Sequence, residues 1–183
     1  MSSRITALDP INATGQTAAL FTAVKGKLGM VPNLMRTLGH SPAALEAYLG
    51  FSATLGKGVL PAAVREQIAL TVAETNSCDY CLAAHSLLGK GAGLTSDAIT
   101  AARRGSAADT KVDALLKFAA SVVEARGLVS DEALATVRTA GASDAEIIET
   151  VAHVALNILT NYTNHIAQTV VDFPKAAALS IPA

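Results

Sequence analysis

Two cysteines and a histidine in one short stretch, Cys78-Asp79-Tyr80-Cys81-Leu82-Ala83-Ala84-His85, are the residue types here best suited to chemistry. They include both cysteines of the 183-residue chain. On a helix, Cys78 and Cys81 are i,i+3 neighbours and Cys81 and His85 are i,i+4, so all three share one face. Asn76 or Ser77 is expected to cap that helix, which puts both cysteines in or near its first turn. Free N–H groups and the helix dipole favour an anion there, and the thiolate is the reactive form of cysteine.

Magnitudes show what else is needed. A thiol of pKa near 8.5 is about 3% ionised at pH 7, and lowering it by two units takes about 2.7 kcal/mol. A helix terminus supplies about 0.3–1 kcal/mol, or up to about 2 in a partly buried setting. A base or donor must therefore help. His85 is the nearest in sequence, and Glu66 on the preceding helix is placed to charge or orient it. Asp79 opposes the thiolate unless it points to water. Two other readings compete with redox chemistry. The cysteines could be small buried hydrophobes, or zinc ligands completed by His85 and His165. A structural zinc site wants four ligands, and the usual second Cys or His pair is missing, so no metal is expected.

The elements that must position these groups read as helices. Ser41-Pro42 opens an apolar-periodic run to Leu55, Gly56-Lys57-Gly58 breaks it, and Leu60-Pro61 starts another towards Thr75. The cysteine helix runs to Leu88 and dissolves at Gly89, Gly91 and Gly93. Thr95-Ser96-Asp97, Ser130-Asp131-Glu132 and the capping box Ser143-Asp144-Ala145-Glu146 begin helices of about 10, 10 and 27 residues. Asp109 to Arg126 is a further helix, and Asp172-Phe173-Pro174 is expected to end the last one. Thr14 to Lys27 reads as a helix and Gly29-Met30-Val31-Pro32-Asn33 as a turn into a short helical piece. Residues 1–40 are taken as an arm or lid on a single domain spanning 1–183. No strand is expected.

The last helix carries His153, Asn157, Asn161 and Asn164 as one polar stripe, with His165 beside it. It reads either as a wall of the cysteine site, with Asn161 and His165 as supporting groups, or as a hydrogen-bonded stripe at a helix or subunit contact. The second reading is preferred. His40 is expected in a turn, and Arg65 is either a solvated charge or an ion-pair partner.

Composition sets the class. Hydrophobic residues make up 51% and charged residues 16%, with no tryptophan. Much of the apolar share is alanine, the best helix former, which favours a tightly packed all-α protein. So few charges also suggest that part of the surface is covered by another subunit. Net charge is −1, and no basic cluster exceeds Arg103-Arg104, so nucleic acid is not an expected partner. Apolar runs fall short of the roughly 20 residues a membrane span needs. Residues Met1 to Gly15 do not read as a secretory signal, and the chain is expected to be cytoplasmic.

Glu66, eleven residues, Cys78-x-x-Cys81, three residues, His85 resembles the signature of the AhpD-like alkylhydroperoxidases within the carboxymuconolactone decarboxylase superfamily. Arg65-Glu66-Gln67-Ile68-Ala69, Asn76-Ser77 and Ala84-His85 extend the likeness. So do the Gly29–Asn33 turn, Asn161-Tyr162-Thr163-Asn164 and Asp172-Phe173-Pro174. The resemblance implies an AhpD-like all-α bundle, assembly into trimers, hexamers or other homo-oligomers, and hydroperoxide reduction. It implies Cys81 as the attacking thiolate, Cys78 as the resolving cysteine, and Glu66 with His85 as the proton relay, acting through water. No bound cofactor is implied; an external dithiol, for instance of lipoyl type, would restore the pair. True carboxymuconolactone decarboxylases generally lack the cysteine pair. The family's relay has a histidine just before the second cysteine, where this chain has Tyr80, a supporting group that can donate a hydrogen bond but is no base at neutral pH. The same residues are compatible with a redox-sensing thiol pair that does not turn over peroxide, or with a small-ligand-binding scaffold.

Overall fold

The computed structural model describes residues 3–179. Among these there are nine α-helices and no strand: α1 Gly15–Leu28, α2 Asn33–Leu38, α3 Pro42–Leu55, α4 Ala62–Thr75, α5 Asp79–Gly91, α6 Ser96–Arg103, α7 Thr110–Glu124, α8 Asp131–Thr139 and α9 Asp144–Ala167. Local chemistry sets many of the boundaries. Ser41, Thr95, Asp109 and Ser130 each accept a bond from the backbone N–H three residues on, at 2.9–3.3 Å. Each such cap contributes about 1 kcal/mol. Ser143 and Glu146 complete a reciprocal capping box at the start of α9.

The middle of α4 is the centre of the bundle. Every residue from Gln67 to Ala73 is buried, and the helix packs against α5, α6, α7 and α9. Its mixed sequence shows no single apolar face because every face is covered. Leu45 of α3, Leu115 and Leu116 of α7 and Val154 of α9 close the core around it. The turn from α3 into α4 is held from outside: the Glu149 carboxylate on α9 accepts the Val59 and Leu60 N–H groups at 2.8 and 3.1 Å. Gly58 leaves room for that carboxylate, which a Cβ would push out of place.

Residues ahead of α3 lie along the bundle. The Arg4 and Ile5 N–H groups both reach Ala167 O, α1 packs on α3, and α2 packs on α3 and α9. His40 sits in the turn before α3 and contacts Thr6 O at 2.8 Å.

Two expected boundaries differ. The last helix stops at Ala167, because Gln168 turns left-handed (φ 49°) and its N–H closes on Asn164 O. That break frees Asp172 to swing back towards α2. The cysteine helix is capped neither by Asn76, which is the last residue of the α4 turn, nor by Ser77, which is itself left-handed (φ 54°). Cys78 occupies the N-cap position, with extended backbone. The reversal takes only these residues, so α5 doubles back directly onto α4.

Candidate active site

That reversal builds the site. Doubling α5 onto α4 brings His85 alongside Glu66, and the imidazole Nδ1 meets Glu66 Oε2 at 2.8 Å. The carboxylate accepts from Nδ1–H, which leaves Nε2 as the ring nitrogen free for proton exchange. Both side chains keep about a fifth of their surface exposed (21% and 22%), so the pair is accessible to solvent protons. Burial alone would lower the His85 pKa. The charge and hydrogen bond of Glu66 outweigh it, with the Cys81 charge adding to them, and the imidazole is raised above its ordinary value.

Cys78 and Cys81 are both free thiols and both almost fully buried. They are hydrogen-bonded to each other, and this contact separates their acidities. Cys81 is pulled down to about 6, first by the bond from Cys78, against burial, and then by His85, Asn164 and Asn161. Cys78 moves the other way, raised by its bond to Cys81, by burial and by the Cys81 charge. Cys81 is thus the more acidic of the two thiols, and Cys78 the one that retains its proton.

The polar stripe of α9 reaches this sulfur, contrary to the preferred expectation of a simple structural contact. Asn164 Nδ2 donates to Cys81 Sγ at 3.3 Å, and Thr160 Oγ1 lies 3.9 Å from it. Asn161 Oδ1 accepts from Asn76 Nδ2 at 2.9 Å, which fixes the amide over the α4–α5 turn. Among the described residues its Nδ2 makes no hydrogen bond of ordinary length, and the amide adds to the pull on Cys81. His153 and Asn157 are buried further up the same face. His165 is not part of the site: it is exposed, one position beyond Asn164 and rotated off the inward face. Among the described residues no group of three or more His, Cys, Asp or Glu side chains is arranged to hold a metal ion.

Tyr80 is buried, but its hydroxyl is committed elsewhere. It donates to Asp172 Oδ1 at 2.7 Å and accepts from Leu34 N at 3.0 Å, while its ring meets Phe173 edge-on at 5.6 Å. Asp172 Oδ2 also accepts from Asn33 N at 2.8 Å. Burial, opposed by the Leu34 N–H and reinforced by Asp172, raises the phenol far above its ordinary value. Tyr80 is therefore a clamp joining α5, α2 and the segment after α9. Arg65 likewise turns away from Glu66, donating to Leu60 O at 2.6 Å.

In front of Cys81 and His85 opens a cavity of about 300 Å³, walled by Met30, Leu34, Met35, Tyr48, Ala84 and Phe173, among others. Tyr48 is a site residue that sequence reasoning missed. Its phenol is raised to about 12 by burial and by the charges of Cys81 and Glu66, so it remains a donor throughout the neutral range. The only signal was a lone tyrosine in the apolar run of α3.

The chain is an all-α bundle that holds a buried pair of thiols beside a carboxylate-held imidazole. Residues 42–125 match the carboxymuconolactone decarboxylase family. The whole chain superposes on the alkylhydroperoxidase AhpD core of an uncharacterised peroxidase-related protein from Ralstonia eutropha JMP134 (TM-score 0.83, 22% identity, 93% of this chain and 92% of that one). It is also similar to an uncharacterised peroxidase-related protein from Silicibacter sp. TM1040 (TM-score 0.77, 24% identity, 91% and 92% covered). A third similar structure is the debrominase Bmp8 in complex with 2,3,4-tribromopyrrole (TM-score 0.79, 20% identity, 94% and 93% covered). No curated protein sequence matches significantly. The fold is that of the AhpD-like helical bundles, and the similarity to the carboxymuconolactone decarboxylase family lies in residues 42–125. No helix among the described residues is long and apolar enough to cross a membrane.

Proposed function

We propose that the protein reduces organic hydroperoxides with its thiol pair. The observation that carries this reading is the divided acidity of two touching cysteines, with the acidic one facing an imidazole already paired to a carboxylate. Cys81 thiolate attacks the outer oxygen of R–O–OH and the O–O bond breaks. The leaving alkoxide takes the proton of the His85 imidazolium, giving Cys81–SOH and R–OH. The Cys78 thiol then attacks the sulfenic sulfur, forming the disulfide and releasing water. His85 then regains its proton from solvent, and Glu66, which holds Nδ1–H, stabilises the cation that forms.

An external dithiol completes the cycle by exchange, becoming a disulfide itself. Cys78 is 1% and Cys81 2% exposed, so the reductant must reach in through the cavity. A slender dithiol on a flexible arm, of lipoyl type, fits that approach better than a folded protein surface. The cavity walls are apolar, which suits a carbon-rich R group over hydrogen peroxide.

Thiol titration before and after one equivalent of cumene hydroperoxide tests this, followed by turnover coupled to dihydrolipoamide. Loss of two thiols with turnover is expected, and Cys81→Ser abolishes it. Undiminished turnover in Cys81→Ser overturns the assignment, and loss of thiols without turnover makes the pair a redox sensor. The apolar cavity and the similarity to a debrominase support a second reading. A bromoarene would transfer Br⁺ to Cys81 sulfur and take up a proton, and Cys78 would then close the disulfide with release of bromide. Bromide release from a brominated pyrrole would identify that activity.

A further inference from the structure

When Cys81 attacks R–O–OH, negative charge moves from the sulfur to the departing alkoxide oxygen. His85 offers that oxygen one proton, through Nε2, because Nδ1 is held by Glu66. An alkoxide accepts more than one hydrogen bond, and a second fixed donor is worth most in a site sheltered from water. Few side chains can supply it. Besides Cys81 and His85, the polar side chains lining the cavity are Tyr48, Ser52, Tyr80 and Thr160. Tyr80 spends its hydroxyl on Asp172 and the Leu34 N–H, and Thr160 donates its proton to Asn157 O at 2.9 Å. Asn164, which reaches the sulfur from behind the cavity, is committed to Cys81. Two residues of α3 are left.

Leu45, Tyr48, Leu49 and Ser52 share the inward face of α3 at helical spacing. Leu45 is sealed in the core, whereas Tyr48 and Ser52 keep partial exposure and both line the cavity. A seryl oxygen sits against its own helix; a tyrosyl hydroxyl stands a ring's length further out. The phenol of Tyr48 feels the charges of Cys81 and Glu66, which puts its hydroxyl at the thiol end of the cavity. Among the described residues that hydroxyl makes no hydrogen bond. A polar group so placed among apolar walls is satisfied only by what enters the cavity. We propose that Tyr48 is the second donor: its hydroxyl holds the inner oxygen of the hydroperoxide and stabilises the alkoxide that leaves, keeping its own proton. His85 supplies the proton that is transferred, so the products remain Cys81–SOH and R–OH. The same bond turns the outer oxygen towards Cys81 Sγ and lays R along the apolar walls. With its phenol raised to about 12, Tyr48 does not ionise in competition with Cys81. This role rests on the hydroperoxide reading of the site.

Single-turnover oxidation of the reduced full chain, followed as loss of thiols, tests this with two oxidants that differ in leaving group. Cumene hydroperoxide expels an alkoxide; peracetic acid expels a carboxylate, which is stable without a donor. Tyr48→Phe keeps the ring and loses no hydrogen bond within the protein, so the fold and the Cys81 alkylation midpoint near 6 should both persist. Its reaction with cumene hydroperoxide should slow about 100-fold, the low end for a lost oxyanion donor. Its reaction with peracetic acid should slow by no more than about threefold, because little charge is left for the donor to stabilise. An unslowed reaction with cumene hydroperoxide overturns the proposal and leaves the hydroperoxide reading intact. Equal losses with both oxidants, or a shifted alkylation midpoint, overturn it as well, since Tyr48 would then support the thiol and not the leaving oxygen. Wild-type thiols untouched by cumene hydroperoxide overturn the hydroperoxide reading itself, and this proposal with it.

Discussion

Replacing Asn164 with leucine tests the origin of the Cys81 acidity. The two side chains share the same branched four-atom skeleton, and Asn164 Oδ1 has no partner among the described residues, so the substitution strands nothing on that side. It removes the Nδ2–H that donates to Cys81 Sγ at 3.3 Å. A hydrogen bond to a buried anion contributes about 1.5–3 kcal/mol, equivalent to roughly one to two pKa units. Starting from about 6, the thiol should move to about 7–8, and its ionised fraction at pH 7 should fall from about nine-tenths to between a half and a tenth. The measurement is the pH dependence of Cys81 alkylation by iodoacetamide, with the modified peptide assigned by mass spectrometry. In wild type the rate should rise with pH through a midpoint near 6; in Asn164→Leu the midpoint should move upward, while His165→Ala leaves it in place. An unmoved midpoint in Asn164→Leu refutes the assignment of the α9 amides to the thiolate.

Glu66→Gln keeps an acceptor for His85 Nδ1–H but removes the charge that raises the imidazole. Peroxide turnover should fall by up to about 100-fold, the low end of the roughly 10²–10⁴-fold that a positioned acid contributes, because His85 itself remains, and the alkaline limb of its pH profile should move down. The wild-type profile itself should rise as Cys81 ionises through about 6 and fall where the raised His85 loses its proton, the two limbs belonging to the pair as a whole. Tyr80→Phe retains the ring contact with Phe173 but gives up both hydrogen bonds of the hydroxyl, which should cost about 1–3 kcal/mol in thermal unfolding. Both limbs of that variant's pH profile should stay in place; a shifted limb would show that Tyr80 takes part in the relay. Ala84→Leu, filling the cavity one turn from Cys81, should raise KM for cumene hydroperoxide severalfold and leave hydrogen peroxide nearly unaffected.

Local chemistry was the most legible part of this sequence. Caps such as Ser41, Thr95 and Ser143 act through bonds three residues long, and their helices begin where the residue types say. The Glu66–His85 pairing was legible too, because a three-residue reversal leaves α5 nowhere to go but along α4. Groups brought in from a distance were not. Tyr48 and Asn164 reach the site across helix contacts that no periodicity encodes. The polar stripe of α9 was visible as a stripe, but which way it faced was not, since amphipathicity alone says that two faces differ and not which one is buried. The helix end at Ala167 was missed for a related reason: the left-handed turn at Gln168 serves the remote bonds of Asp172 and carries no glycine to announce it.

The clamp at Tyr80 bears on the order in which the molecule assembles. Its hydroxyl and the carboxylate it holds join residues 46, 92 and 139 positions apart in the chain. Contacts of such separation carry the largest loop-closure cost and form after local ones. The α4–α5 hairpin, with its thiols and the Glu66–His85 pair, is therefore expected to form early, and the cavity wall over it to close last. In refolding, Cys81 should stay open to a pulse of alkylating reagent after the helical signal has recovered, and it should become protected only when the segment around Asp172 docks. A newly made chain would then pass through a stage in which its nucleophile is formed but unsheltered, the point at which oxidants could damage it most readily.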